Sequence, residues 1–237
     1  MGLISIFFDN PVIFILIIIS LIFALSVHEF SHGYIAYIYG DETAYRMGRL
    51  TLNPLAHLDP IGSMMILFLG VGYAKPVPVN PVNLRNPRKD MIKVAAAGPI
   101  SNFILAFGAI FLCVILIKFG VLSPYYFEVL LSGRILNDSF SLFFTYFIII
   151  NTYLGLFNLI PIYPLDGGQI FGNVIAKYNP NIFRQLNEYG PKILLAIIAI
   201  SIFSQGRLSI IGWVIEKPAN LIIGVFEQIS QLILFFI

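Results

Sequence analysis

A long apolar run that ends in a cluster of titratable residues constrains this chain more than any other feature. No charged residue occurs from position 11 to position 27, and the run VIFILIIISLIFALS is typical of a helix facing hydrocarbon. His28, Glu29 and His32 follow at once, in the pattern His-Glu-x-x-His. Residues four apart lie about 40° from each other around a helix, so both imidazoles can face one metal ion. The spacing predicts a zinc site, with Glu29 beside it to take a proton from metal-bound water.

The composition is that of an integral membrane protein. Of 237 residues, 58% are hydrophobic and only 11% are charged, whereas about 25% are charged in an average soluble domain. An acid at the depth of Glu29 costs about 2.5–3.5 kcal/mol on insertion scales, which favours a functional reason for it. The net charge is +2, and no block rich in lysine and arginine occurs, so we expect no nucleic-acid partner. The expected surroundings are a lipid bilayer.

Five apolar segments are long enough to predict membrane spans: 11–39, 91–120, 140–160, 190–204 and 219–237. A shorter apolar stretch, 61–73, contains three glycines and cannot cross a bilayer as a helix. We interpret it as part of a re-entrant or β-hairpin segment near 61–81. The expected fold class is therefore an all-α polytopic membrane protein with about five transmembrane helices plus that segment. No stretch between the spans is long enough for an added soluble domain, so a single membrane-embedded domain, 1–237, is expected.

The distribution of basic residues predicts the orientation. Between positions 75 and 93 there are five lysines or arginines and one acid, so this segment should be cytoplasmic. If 61–73 turns back without crossing, the end of the first span lies on the same side, and so does the end of the third span. The predicted active site therefore faces the cytoplasmic side of the cell membrane.

Asp166 is the candidate third ligand. Two histidines rarely suffice for zinc, and the chain has only 12 acids. Asp166 alone follows a span broken by two prolines, in Ile160-Pro161-Ile162-Tyr163-Pro164-Leu165-Asp166. Broken helix is tolerated at membrane depth only where protein or a watery cavity receives it, and the predicted topology puts this break level with His28 and His32. An alternative role for Asp166 is the N-cap of a helix that starts at Gly167.

Several ordered motifs together resemble the site-2 protease family, the zinc intramembrane metalloproteases, in a short prokaryotic form without PDZ or CBS domain. The resemblance covers about residues 10–205, which would be the catalytic core. It rests on the HEFSH run with Gly33 and on segments 48–54, 57–62, 74–81, 98–102 and 158–168. The resemblance implies hydrolysis of peptide bonds in or near the transmembrane segment of a single-span substrate. It also implies one zinc ion per chain on His28, His32 and Asp166, with Glu29 as general base.

Two asparagines are secondary candidates. Asn102 and Asn158 lie in or beside apolar spans, where each could contact the substrate backbone or an oxyanion. The alternative, hydrogen bonding between helices, is the interpretation that their positions favour for both. Gly98-Pro99 is expected to mark a bend that allows close packing of the second span. The segment 75–81 alternates proline and valine, which is typical either of an extended edge that receives substrate or of a stiff connector.

Rival functions remain at this point. A catalytically idle metal-binding or scaffold protein would not need Glu29 beside the histidines. A membrane-embedded His-Glu-x-x-His peptidase of the type with a glutamate ligand needs a soluble catalytic domain, for which the segments here are too short. A zinc transporter would need further ionisable residues across the later spans, and the sequence offers almost none.

Overall fold

The computed structural model of the protein describes residues 2–131, 138–204 and 207–236. Over these residues the chain is helical, without a β-strand, which confirms the all-α class for the described part. Its α-helices are α1 (Leu3–Asp9), α2 (Pro11–Ile38), α3 (Thr43–Arg46), α4 (Pro60–Leu69), α5 (Pro87–Lys118), α6 (Tyr126–Leu131), α7 (Ser139–Asn158), α8 (Asp166–Ile175), α9 (Pro180–Phe203) and α10 (Ile210–Phe236). Short 3-10 turns occupy Pro54–Ala56 and Pro81–Asn83.

Many of these segments begin in the same way, at a proline directly preceded by asparagine or aspartate. Proline suits the first helical position because the backbone N–H there has no partner within the helix. The preceding side chain can accept a backbone N–H from the new first turn. Five side chains do so here: Asn10, Asn53, Asp59, Asn80 and Asn179. The sequence thus marks where α2, α4 and α9 start.

Four helices are long and apolar enough to cross a membrane, judged by length and composition: α2, α5, α7 and α9. They correspond to the predicted segments 11–39, 91–120, 140–160 and 190–204. The fifth predicted segment, 219–237, falls within α10 as far as Phe236, and α10 is not one of those four. The helical architecture therefore suggests a multi-pass membrane protein, with four rather than five spans meeting the criterion among the described residues.

Helices α2, α5 and α7 pack against one another and form the centre of the molecule. Helix α8 packs on α5, α9 on α8, and α10 on α5 and α7. An apolar cluster joins α5 to α6, α7 and α10, and Cys113, Tyr126 and Ile148 are fully buried in it. The cluster lies along the later part of α5. The earlier part of the same helix meets α2 and also α7, to which Asn102 donates a hydrogen bond.

The segment 61–81 contains a helix and a close return of the chain. Helix α4 ends at Gly70, whose φ of 75° lies in the left-handed region that glycine adopts readily. The chain then runs back along α4, so that a Cβ on Gly62 would lie 2.0 Å from the carbonyl oxygen of Tyr73. The β-hairpin alternative is not confirmed, because the described residues of this segment form α4, extended chain and a 3-10 turn without strand pairing.

Candidate metal centre

The two histidines of the predicted motif lie one turn apart on the face of α2 that meets α5. The ring centroids of His28 and His32 are 4.7 Å apart and their planes are almost perpendicular, at 84°. His28 is 4% exposed, so within this candidate membrane span its side chain is buried against the rest of the protein. The helical spacing in the sequence therefore does place both imidazoles side by side, in a buried position.

Asp166 reaches the histidines from the first turn of α8. The chain between α7 and α8 makes a tight turn, against which α8 begins. A Cβ on Gly167 would lie 2.2 Å from the carbonyl oxygen of Leu159, and one on Gly168 would lie 2.5 Å from the backbone nitrogen of Tyr163. The paired glycines are thus a steric requirement for bringing Asp166 to this position. Leu165 occupies the N-cap position, and no side-chain cap hydrogen bond is made there.

The three side chains form a compact buried cluster. The Nε2 atom of His28 lies 3.1 Å from Oδ2 of Asp166, and the Nε2 atom of His32 lies 3.3 Å from Oδ1. One nitrogen or oxygen atom from each residue lies within 4.8 Å of the others. Zinc bonds of about 2.0–2.2 Å place neighbouring ligand atoms of a tetrahedral site about 3.5 Å apart. The cluster therefore has the dimensions of a single metal site with three protein ligands.

Hydrogen bonds on the far side of the rings determine which nitrogen faces the cluster. Nδ1 of His32 lies 2.7 Å from the carbonyl oxygen of Val94, which can only accept a proton. Nδ1 of His28 lies 2.6 Å from Oδ1 of Asn102, whose own Nδ2 donates to the carbonyl oxygen of Ala24. Both Nδ1 atoms therefore carry the proton, and both Nε2 atoms present a lone pair.

These residues fit a zinc ion. The Nε2 lone pairs of the two histidines face the Asp166 carboxylate. These electron-rich groups repel one another unless a cation lies between them. Oδ2 of Asp166 is buried and makes no hydrogen bond within the described part of the chain. Gly98 of α5 also leaves room at this point, because a Cβ there would lie 2.5 Å from Nε2 of both histidines. The close packing expected at Gly98-Pro99 is therefore packing against the candidate ligands.

Glu29 lies beside the cluster and is held by backbone from another segment. Its Oε2 atom accepts the N–H of Val77 at 2.8 Å. Val77 belongs to the proline-rich stretch 75–81, whose extended chain is brought against α2 at this residue. The side chain of Glu29 is only partly buried. A carboxylate fixed at one oxygen and next to a metal site can act as a proton acceptor.

Other contacts hold the same extended stretch in place. Arg49 donates through Nη2 to the carbonyl oxygens of Lys75 and Pro76 at 2.9 and 3.2 Å. Oδ2 of Asp41 accepts the N–H of Asn80 at 2.6 Å. Burial alone would raise the pKa of Asp41, but hydrogen bonds from Thr43, from the Asn83 side chain and from Asn80 lower it below its ordinary value. These bonds favour the stiff-connector interpretation in this conformation, since they engage donors and acceptors that an added strand would need.

The two secondary candidates are placed differently. Asn102 is fully buried and uses its whole amide within the protein, because Nδ2 donates to Ala24 and to Oδ1 of Asn151 while Oδ1 faces His28. Asn158 ends α7, and its Nδ2 donates to the carbonyl oxygen of Leu154 in the same helix at 3.0 Å. This geometry favours hydrogen bonding between helices for Asn102. Sequence reasoning did not identify Asn151, which carries no local signal beyond being polar within an apolar run.

Comparisons with known proteins agree with this geometry. The sequence profile described as Peptidase family M50 matches residues 16–201. The chain is 39% identical over 181 residues to "Putative zinc metalloprotease YwhC" of Bacillus subtilis, covering 76% of this chain and 78% of that protein. "Putative zinc metalloprotease Rip2" of Mycolicibacterium smegmatis is 33% identical over 99 residues, 40% of this chain and 38% of that protein. "Zinc metalloprotease MJ0392" of Methanocaldococcus jannaschii is 27% identical over 169 residues, 71% of this chain and 37% of that protein.

No solved structure matches the chain. The family profile nevertheless covers most of its length and includes both histidines of the motif and Asp166. The apolar helices are consistent with a membrane protein. The chain therefore belongs to peptidase family M50, the site-2 protease family, and is a zinc metalloprotease.

Proposed function

We propose that the chain is an intramembrane endopeptidase that hydrolyses peptide bonds in or near transmembrane segments of membrane proteins, with single-span proteins as the substrate class. The observation that carries the proposal is the position of the metal cluster. His28, His32 and the adjacent Glu29 lie on α2, a helix long and apolar enough to cross a membrane. Asp166 joins the two histidines from the first turn of α8. A peptide bond reaches such a site only if the substrate itself enters the membrane or its interface.

In this proposal the chain's own residues divide the work. His28 and His32 hold one zinc ion per chain through Nε2, and Asp166 holds it through its carboxylate. Bound zinc supplies a Lewis acid that activates water and polarises the scissile carbonyl. Glu29 moves the proton. Its Oε2 is fixed by the N–H of Val77, so Oε1 takes the proton from water and delivers it to the leaving amine.

We propose a topology of about five spans in the cell membrane, with the metal site toward the cytoplasmic side. Helix α4 would enter the membrane and the extended chain after it would return to the same side. The close approach of Tyr73 to Gly62 supports this, because it brings the two ends of the segment together. The basic residues of 75–93 would stay in the cytoplasm.

Labelling tests this orientation. Arg88 is exposed and Cys113 is fully buried, so an Arg88→Cys variant offers a single accessible thiol. A membrane-impermeant thiol reagent should label it in inverted vesicles and leave it unlabelled in right-side-out vesicles. Labelling in right-side-out vesicles would contradict a cytoplasmic active site.

The experiment for the catalytic proposal compares wild type with Glu29→Gln. Glutamine keeps an oxygen for the N–H of Val77 and leaves the candidate ligands untouched, but it cannot accept the proton. We expect zinc content to stay at one ion per chain, while cleavage of a transmembrane substrate in detergent or liposomes falls by about 10²–10⁴-fold. Unchanged cleavage would exclude Glu29 as the base.

A matched control is Glu42→Gln, the same chemical change at an exposed acid that pairs with Arg46 on the surface. This variant should cleave as wild type does. Zinc bound by every variant together with no turnover by wild type on transmembrane substrates would favour the idle scaffold instead. Turnover of soluble peptides with none of membrane-inserted substrates would keep the metalloprotease and reject the intramembrane substrate.

A further inference from the structure

Asn151 is a buried polar residue that the chemistry described above does not use. It lies in α7 directly after three isoleucines and is 0% exposed. A buried amide without hydrogen-bond partners is costly, and in a helix that can span a membrane water is not at hand to supply them. The contacts that satisfy Asn151 therefore indicate what it does.

Those contacts form a directed chain of hydrogen bonds that ends at a candidate ligand. Nδ2 of Asn151 donates to the carbonyl oxygen of Phe147 at 2.9 Å, one turn earlier in α7. Oδ1 of Asn151 accepts from Nδ2 of Asn102 at 3.0 Å. Oδ1 of Asn102 then lies 2.6 Å from Nδ1 of His28. The chain connects α7 through α5 to α2, and the carbonyl of Phe147 sets its direction because it can only accept.

We propose that Asn151 is a positioning residue for the metal site, which holds the amide of Asn102 in the one orientation that lets His28 bind zinc. This inference rests on the proposed ligand role of His28. The other bond that orients Asn102, from Nδ2 to the carbonyl oxygen of Ala24, is longer, at 3.3 Å. Asn151 is thus the closer of the two partners that keep the Asn102 oxygen turned toward the histidine.

The consequence of losing that orientation follows from the two ends of an amide. If the Asn102 side chain turned by half a rotation, its NH₂ group would face Nδ1 of His28. Nδ1 would then have to accept, so the neutral imidazole would carry its proton on Nε2. An Nε2 that carries a proton has no lone pair for zinc. Asn151 therefore selects a tautomer of His28 across two helix interfaces, which is more than packing helices together.

The test measures zinc affinity by competition with a chelator in purified full-length protein. Replacement of Asn151 by leucine keeps the side-chain size and removes both polar atoms. A direct hydrogen-bond partner of a ligating histidine typically contributes about 10–100-fold to metal affinity. Asn151 acts through that partner, so Asn151→Leu should bind zinc more weakly by the lower end of that range, about 10-fold.

The matched control is the next residue. Thr152 is equally buried, and its Oγ1 makes no hydrogen bond within the described part of the chain. Thr152→Val removes that hydroxyl at constant size and should leave zinc affinity unchanged. An equal loss in Thr152→Val and Asn151→Leu would assign the effect to helix packing and overturn the proposal. Wild-type affinity in Asn151→Leu would overturn it directly.

A double-substitution cycle gives the sharper readout. Once Asn102→Leu has broken the chain at its middle, adding Asn151→Leu should cause no further loss of zinc affinity. Independent, multiplying losses would show that Asn151 does not act through Asn102. If Asn151→Leu does not fold, Asn151→Ser replaces it. Serine can bond to the carbonyl one turn back in its own helix but is too short to reach Asn102, so the same loss is expected.

A spectroscopic readout separates positioning from stability. In the cobalt-substituted protein, Asn151→Leu should alter the visible ligand-field bands, whereas Thr152→Val should leave them as in wild type. Zinc binding that depends on Asn151 in a protein that cleaves nothing would keep this inference and reject the protease proposal. Normal cleavage with an unaltered zinc affinity in Asn151→Leu would do the reverse.

Discussion

The two halves of α5 lie in one continuous helix and differ in the side chains that they bury. The earlier half carries small or polar buried side chains, among them Ala95, Ala97, Gly98, Ser101 and Asn102. Gly98 lies against the histidines of α2, and Asn102 bonds to both α2 and α7. The later half presents Ala109, Ile110, Cys113, Val114 and Ile117 to α6, α7 and α10. Around Gly98 the helix has few side-chain atoms to contribute to packing, whereas the later half is filled by them.

Metal binding and fold stability therefore depend on different parts of the same helix. Around Gly98 the backbone of α5 comes so close to the histidine rings that a methyl group would not fit. Small residues permit such approach between membrane helices, and hydrogen bonds rather than apolar volume connect them. The later half contributes dispersion contacts among tightly packed side chains. Substitutions in the two halves should therefore change different measured quantities.

The largest effect is expected for Gly98→Ala. The new methyl group would lie 2.5 Å from Nε2 of both histidines, so the rings or the helix must move by about 1 Å. A displacement of that size costs about 100-fold in activity, and zinc affinity should fall with it because the same atoms are the candidate ligands. Chelator competition and cleavage of a transmembrane substrate measure the two losses. Wild-type zinc affinity in Gly98→Ala would contradict the inference that the earlier half of α5 determines metal binding.

A smaller effect of a different kind is expected for Ile148→Ala. Ile148 of α7 is 0% exposed within the apolar cluster of the later half. Truncating a buried isoleucine to alanine typically lowers the free energy of unfolding by about 2–5 kcal/mol. Zinc affinity of the folded protein should stay as in wild type, since the ligands lie against the other half. Denaturation in a detergent series measures the free energy of unfolding, and chelator competition measures zinc affinity. A fall in zinc affinity would show that the halves are coupled.

Features that depend on short stretches of sequence could be predicted from the sequence. His28, His32 and Glu29 follow from helical spacing, which is local, and Asp166 follows from the prolines that break the chain before it. The all-α class follows from the length of the apolar runs. These features depend on short stretches of sequence, so physical rules for helices and turns suffice.

Features that depend on the register between helices could not be predicted in this way. Asn158 is identified from the sequence because it begins the segment 158–168 that leads into the two prolines. The role of Asn151 depends on its hydrogen bond from Asn102, which follows only from the packing of α7 against α5. The partner of His32 is the backbone carbonyl of Val94, and a carbonyl leaves no trace in the sequence. The short length of the apolar stretch 61–73 predicts that the chain turns back, and either a hairpin or a helix followed by extended chain satisfies that prediction.

The smallest effect is expected for Gly108→Ala, in the same helix as Gly98→Ala and with the same change of one hydrogen to a methyl group. Gly108 is exposed, and a Cβ there would meet nothing within 4 Å. Alanine is favoured over glycine inside a helix by about 0.5–1 kcal/mol, so the free energy of unfolding should rise by no more than that. Zinc affinity and cleavage should not change. Because Gly98→Ala and Gly108→Ala make the same chemical change, any difference between their effects comes from their positions along α5. A loss of zinc affinity in Gly108→Ala would mean that any alanine in this helix disturbs the site, and the steric argument for Gly98 would no longer hold.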